Sequence, residues 1–495
     1  MAANTLDGHL RRWRRRWRRW ERITRPVDPE LAAALALRWA ELPERARTPA
    51  QLLGRNAVGC EGTHGVFPRC NLTCTPCYHS ADANKVRVDG AHTVAEVRRQ
   101  MAYLRRVRGP RGHAQLIGGE VSLLPPDDHA AALLVMREYG REPMSMTHGD
   151  FDYDYLRAIA LGPDGRPRLR RLSFAAHIDS LMRGRRDTPR PRDEAELAPA
   201  RRRFAAMFRR LRREHGIRSY LAHNMTVTPH NVGQLAEVIR ETRSMGYAMM
   251  SFQPAAAVGD ERRWKEDYRA LTGDQVWAEI ERGAGTRLPW RALQMGDERC
   301  NRTAFGFYLG DRWLPLIDDR RPIDLAARDA FLRHLGGVNV GGTPPRLLAA
   351  RLLRALASHP SATWTGLRWA AGLARRAGIR LLTHRIRPMT FVMHSFIHAD
   401  QVRPAWALLE QGVRSDVPDI RAVQERLLAC SYAMAHPDRD RLVPACVQHA
   451  VLDPGANATL RRLLPLREVA KGPVPWSDHD AAPPNAGCRR PGDCA

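Results

Sequence analysis

The chain has 495 residues, 79 basic against 53 acidic side chains, and a formal charge of +26 at pH 7. That is more than one hydrophobic core normally supports, so a catalytic-sized domain with additional material is expected. No run of about 18 apolar residues is present, which excludes a membrane-spanning helix. The start of the chain lacks the apolar core and small-residue cleavage site of a secretory signal, so the expectation is a cytoplasmic protein. So large a positive field draws polyanions. Only Lys85, Lys265 and Lys471 are lysine, however, and an arginine-for-lysine bias with abundant alanine reflects GC-rich coding; a specific nucleic-acid role is disfavoured.

The first segment, GHLRRWRRRWRRWERI, sets Leu10, Trp13, Trp17 and Trp20 at spacings of three and four among arginines. This predicts a basic helix with one aromatic stripe, suited to a membrane interface with indoles at headgroup depth; a stripe docked on the protein's own core is the alternative. A helix over 29–42 follows. Next, THGVF (63–67) predicts a short strand, and HTVAEVRRQMAYLRRV a helix with Thr93 and Glu96 as capping box. AQLI (114–117), MSMTH (144–148), RLSFAAHID (171–179), SYLAHNMTVT (219–228) and YAMMSFQ (247–253) predict further strands, separated by helical patterns. Alternation of this kind means crossover connections, and the expected fold is α/β, a partial (β/α)6 TIM-like barrel with ligands at the carboxyl ends of its strands. RGRRDTPRPRDEAEL (183–197) reads as a surface loop. Expected divisions are a basic Trp/Arg arm over 1–54, a core over 55–260, an α-rich domain over 261–471 and a flexible tail over 472–495. No internal repeat of useful strength is present.

Three of the nine cysteines, Cys70, Cys74 and Cys77, fall within eight positions in CNLTCTPCYHS. Clustered thiols in a reducing compartment suggest metal, and thiolates are soft ligands for iron–sulfur clusters or zinc. A cubane needs one ligand per iron, so three thiolates leave one iron open. The rival is a structural zinc site completed by His64 or His79, although His79 lies closer to Cys77 than zinc ligands usually stand. The C-x3-C-x2-C spacing resembles that of the radical S-adenosylmethionine (SAM) superfamily, with the family's aromatic residue just after the third cysteine, as Tyr78, where Pro76 occupies the place before it. About forty residues on, LIGGEVSLLP supplies a second match: Gly118, Gly119 and Glu120 resemble the family's segment that receives the SAM amino group.

The resemblance implies a [4Fe-4S] cluster on Cys70, Cys74 and Cys77. SAM would be bound at the open iron and cleaved reductively, with an electron from a donor such as flavodoxin or ferredoxin, to a 5′-deoxyadenosyl radical that abstracts hydrogen from an unactivated carbon. It also implies cofactor contacts from the fourth and fifth strands, on which Ser173 and Asn224 lie. His148, His177, Asp179, Thr226 and Gln253 are further candidates by position at strand ends; an ordinary loop role is the alternative for each. No catalytic residue is singled out.

Cys300, Cys430 and Cys446, with FVMHSFIHADQ (His394, His398, Asp400) between the first and second, are similar to the branch of the superfamily that includes archaeal tetraether lipid synthases. That implies an auxiliary iron–sulfur cluster on these cysteines, against the alternative that they are small buried hydrophobes. Cys488 and Cys494 sit in the tail. The leading reading is a radical SAM enzyme acting on a small-molecule or lipid substrate, peripheral to an anionic membrane surface. A peptide-modifying maturase is the alternative, and a basic zinc-stapled nucleic-acid-binding protein the alternative from another class.

Overall fold

The computed structural model describes residues 2–78, 81–110, 112–258, 264–338 and 343–466. His79, Cys488, Cys494 and the expected tail lie outside these residues, as does the side chain of Leu10. The fold is α/β, built on one curled seven-stranded half-barrel sheet. In chain order its strands are β1 (Gly112–Leu116), β2 (Arg141–Thr147), β3 (Arg171–His177), β4 (Arg218–Val227), β5 (Met249–Pro254), β6 (Asn301–Ala304) and β7 (Thr390–His394). Their order across the sheet is β1-β2-β3-β4-β5-β7-β6. Every neighbouring pair is parallel except β7 with β6.

The parallel order follows from the crossover helices. Helix α3 (Gly90–Arg108) precedes β1, and α4 (Pro126–Glu138), α5 (Tyr153–Ala160), α6 (Ala198–His215) and α7 (Leu235–Thr242) return the chain between successive strands. Each lays an apolar stripe on the sheet. Val97, Met101 and Leu104 of α3, Leu133 and Met136 of α4, and Phe204, Phe208 and Leu211 of α6 join Leu116, Phe174, Met225 and Phe252 of the strands in one core. The ring of Phe208 lies 5.1 Å from those of Phe174 and Phe204. Truncating such a ring to alanine costs about 3–5 kcal/mol, because the lost contacts leave a cavity that packed neighbours fill only in part.

Three expectations change. Residues 63–67 form no strand: Gly62 makes single bridges to Gln115 and Met434, and Gly65, at φ +64°, turns the chain before a ladder can extend. Thr63 still serves the sheet edge, since its hydroxyl donates to Ile117 O at 2.8 Å and accepts from Ile117 N at 2.9 Å. The sixth parallel strand is β7 instead, in register with β5 from Thr390↔Met249 to Met393↔Phe252. The sheet thus runs across the boundary expected near residue 260. Helix α3 is capped by Asp89, which accepts from His92 N at 2.9 Å; Thr93 lies inside the helix, its hydroxyl bonded to Val66 O and Asp89 O.

Beyond the sheet the chain is largely helical. Helices α8 (Gly273–Ala284), α9 (Pro322–His334), α10 (Pro345–Ser358), α11 (Pro360–Ala377) and the short α12 (Arg380–Thr383) precede β7; α13 (Ala399–Glu410) and α14 (Pro418–Leu428) follow it. At the start of the chain lie α1 (Ala2–Thr24), rich in arginine, and α2 (Pro29–Glu41). Among the described residues no helix is long and apolar enough to cross a membrane.

Candidate active site at the carboxyl ends of the strands

Parallel strands deliver their last residues to one edge of the sheet, and here those ends surround a cavity enclosing about 1140 Å³ of empty space including its mouth. Cys70, Cys74 and Cys77 lie in one wall, and Gly118, Gly119 and Glu120 follow β1 into another. Thr147 and His148 come from β2, His177 from β3, Asn224 and Thr226 from β4 and Gln253 from β5. Alternation along β3 turns Ala175 and His177 to the cavity; Ser173, two residues deeper on that strand, is buried and does not line it.

The cysteine segment is tied down from three directions. Thr73 and Cys74 pair antiparallel with Arg183 and Met182. Cys70 N donates to Asn84 Oδ1 at 2.9 Å. Asn71 Oδ1 accepts from His148 Nε2 at 2.8 Å, and His148 Nδ1 accepts from Asp150 N at 3.0 Å, which fixes the tautomer. Burial pushes the Cys70 thiol up to about 12. A thiol so placed gives up its proton readily only with positive charge at the sulfur.

Gly118 and Gly119 serve packing. A Cβ on Gly119 would stand 2.2 Å from the carbonyl oxygens of both Pro68 and Arg69, and one on Gly118 would meet the Phe67 ring at 2.3 Å. The segment entering the cysteines runs against them, with Gly119 N donating to Phe67 O at 2.7 Å and Glu120 N to Arg69 O at 2.9 Å. Glu120 is equally committed: its carboxylate accepts from Ser122 N, the Ser122 hydroxyl, the Thr147 hydroxyl and His148 N. It locks the ends of β1 and β2 together while still presenting charge to the cavity.

On the floor, His177 donates through Nε2 to Asp179 Oδ2 at 2.7 Å, with the Thr226 hydroxyl 3.1 Å away. Asp179 sits behind His177, outside the lining. Burial alone would raise its pKa, but the His177 charge and hydrogen bond, with the N–H groups of Thr226 and Leu181, hold it below the ordinary carboxylate range. The 183–197 segment is more than a surface loop. Its Arg185 is buried and donates to His148 O at 2.8 Å, and its Glu194 is buried against Arg201 and accepts from Ser180 N.

None of the residues that cap the cavity is singled out by local sequence pattern. Phe396, Tyr432 and His449 come from beyond residue 390 and line the same cavity. Tyr78 meets them, its ring 4.7 Å from Phe396 and 5.9 Å from His449, and its buried hydroxyl has no hydrogen-bond partner among the described residues.

Cys300, Cys430 and Cys446 do come together, with Asp297, His394 and Arg426, around a second space of about 420 Å³ that shares Phe396 and Tyr432 with the first. Their sulfurs are internally engaged: Arg426 Nε donates to Cys300 at 3.1 Å, Ile397 N to Cys446 at 3.3 Å, and Cys430 donates to Tyr432 O at 2.8 Å. Burial raises all three thiols, Cys430 to about 11. His398 accepts from Ala257 N, and Asp400 pairs with Arg269 at the surface, away from both cavities.

The donor chemistry of the main cavity suits an iron–sulfur cluster and a nucleotide: three soft thiol donors share a wall, polar strand ends face them, and the Tyr78 hydroxyl has no hydrogen-bond partner among the described residues. Among the described residues, no three His, Cys, Asp or Glu side chains already converge closely enough to hold a metal ion.

No family model matches the chain, and no curated protein matches it. Several solved structures do. SuiB from Streptococcus suis, also solved bound to S-adenosylmethionine and to its precursor peptide SuiA, is 12% identical over 40% of this chain and 38% of its own, with a TM-score of 0.26. The anSMEcpe structure with bound AdoMet is 12% identical over 39% of this chain and 50% of its own, TM-score 0.27. Coproporphyrinogen III oxidase (HemN) from Escherichia coli, described as a radical SAM enzyme, is 11% identical over 61% of this chain and 62% of its own, TM-score 0.30. The chain thus spans about two fifths of the length of SuiB.

Proposed function

We propose that this chain is a radical SAM enzyme in which Cys70, Cys74 and Cys77 hold a [4Fe-4S] cluster. The observation that carries the reading is that these thiols, the Gly118-Gly119-Glu120 turn and the ends of five parallel strands face one cavity. When bound, the cluster and SAM supply reductive sulfonium cleavage and hydrogen abstraction from an unactivated carbon. The chain's residues bind, orient and seal. Asn224, Thr226 and Gln253 offer hydrogen bonds to a nucleoside, and Asp179 fixes the His177 ring. Glu120 and His148 set the height of the cysteine segment against the sheet. Tyr78, Phe396 and Tyr432 form a largely apolar cap that keeps water from a reactive centre.

A lipid or other apolar substrate at an anionic membrane surface is the finer assignment we propose, supported by this cap and by the Trp and Arg residues of α1. The three thiols around the adjacent space favour a second reading, a peptide-modifying enzyme with an auxiliary cluster.

Anaerobic reconstitution tests the assignment. Wild type is expected to bind iron and sulfide and to release 5′-deoxyadenosine with dithionite, and Cys74→Ala to release none while keeping a cooperative melt. Product from Cys74→Ala would overturn the ligand assignment, and a colourless zinc protein the enzyme reading. Iron counting on a Cys300/Cys430/Cys446→Ser triple variant decides the number of clusters: unchanged iron leaves one, and a drop assigns a second to these thiols.

A further inference from the structure

Helix α11 is amphipathic in an unusual sense. One face docks inward: Arg376 pairs with Asp324 of α9 at 2.7 Å, and Trp369 Nε1 donates to Leu316 O at 2.9 Å. Trp364, Leu367, Ala371 and Ala374, at spacings of three, four and three, form a second apolar stripe, and all four are exposed. Beyond the helix the stripe continues through Ile379, 75% exposed, and Leu382, 86% exposed. Leu353 of α10 and Ile386 are also uncovered.

This surface adjoins the basic arm. Arg351 of α10 donates to Ile23 O at 3.0 Å, and Arg354 to Glu21 O at 3.1 Å and the Thr24 hydroxyl at 3.3 Å. Those bonds take up carbonyls at the end of α1, so its C-terminus is fixed to α10. Along α1 the Trp13 and Trp17 rings stack 5.8 Å apart, the Trp20 ring lies tilted 5.1 Å from Trp17, and each is at least half exposed. The stripe foreseen in the sequence is thus not docked on the protein's own core.

We infer that α1 and the α10–α12 segment, over 300 residues apart in the chain, form one docking face for an anionic lipid bilayer. It extends the membrane-surface reading proposed above and rests on it for the role of α1, but is independent of the redox chemistry. Charge selects the occupant. Between Pro345 and Ile386 there are eight arginines and no acidic residue, and Arg346, Arg368, Arg375 and Arg385 are exposed, as are Arg14, Arg15, Arg16, Arg18, Arg19 and Arg22 on α1. A second copy of the chain would set arginine against arginine. A bilayer of acidic headgroups satisfies the guanidinium groups while indoles and aliphatic side chains enter the interface.

The test is sedimentation of the full-length protein with vesicles of phosphatidylcholine alone, or mixed equally with phosphatidylglycerol. Wild type is expected to partition to the mixed vesicles only. Trp364→Glu/Leu382→Glu is expected to lower that partition about tenfold or more, since it removes apolar insertion and adds repulsion. Leu367→Ser/Leu382→Ser, gentler on the fold, should show a smaller loss in the same direction. Equal binding to neutral vesicles, or unchanged partition of both variants, overturns the inference. So does light scattering that shows a dimer abolished by these substitutions. Iron content and 5′-deoxyadenosine release, measured on the same samples, should not move; their failure in wild type would sink the enzyme reading and leave the docking face standing.

Discussion

The Glu120 carboxylate, just past β1, accepts a 2.6 Å hydrogen bond from the Thr147 hydroxyl at the end of β2, and through its other oxygen a 2.7 Å bond from His148 N. All three groups are buried, so the carboxylate clamps two strand ends where the cysteine segment rests. Glu120→Ala leaves a hydroxyl and an amide buried without an acceptor, which costs about 2–5 kcal/mol in total. Urea unfolding is expected to show this loss, and Glu120→Gln, which keeps one oxygen, a smaller one. An unchanged midpoint for the alanine variant would show that the clamp does not bear on stability.

Gly119→Ala is expected to disturb the cysteine segment directly. Its new Cβ would fall 2.2 Å from two carbonyl oxygens, and these belong to backbone that cannot swing aside like a flexible side chain. Forcing the two backbone segments apart by such overpacking costs about 1–3 kcal/mol, and the displaced segment carries Cys70. Reconstituted iron per chain should fall, whereas Gly233→Ala, with nothing within 4 Å of its Cβ, should match wild type. Equal iron in both variants would refute the packing role.

Acid should destabilise the fold earlier than carboxylates alone would predict. Burial lowers His129 to about 3 and His394 to about 4, and burial with the neighbouring His64 lowers His436 to about 4. Such histidines stay neutral in the fold while the unfolded chain takes up their protons below about pH 6.5, so stability is full above that value and is lost as pH falls toward the folded values. Each contributes a slope of about 1.4 kcal/mol per pH unit between roughly pH 6.5 and pH 4. His129 bridges the Ser145 hydroxyl and the Tyr155 hydroxyl. His129→Gln should therefore make the stability–pH curve shallower by one proton in that window, and an unchanged slope would mean that His129 is not neutral in the fold.

Short-range pattern along the chain was legible before folding is considered. Alternating apolar runs and helical periodicity marked β1 to β5, and the spacing of Cys70, Cys74 and Cys77 with the later Gly118-Gly119-Glu120 marked one wall of the cavity, because ligand chemistry and tight backbone approach restrict residue type within a few positions. The stripe of Trp13, Trp17 and Trp20 was likewise visible, since helical spacing alone places the indoles on one face.

Which distant segments complete these features was set by long-range packing in the folded chain. It replaced the expected strand at 63–67 with β7, whose first residue lies 136 positions beyond the last of β5, because a sheet edge is filled by whichever segment matches its register and apolar faces. It set Ser173 too deep to reach the cavity, gave the cap to Phe396, Tyr432 and His449, and gathered Cys300, Cys430 and Cys446 around one space. Contacts of this kind depend on where the chain returns after long loops and crossovers, and no periodicity of a few residues encodes that return.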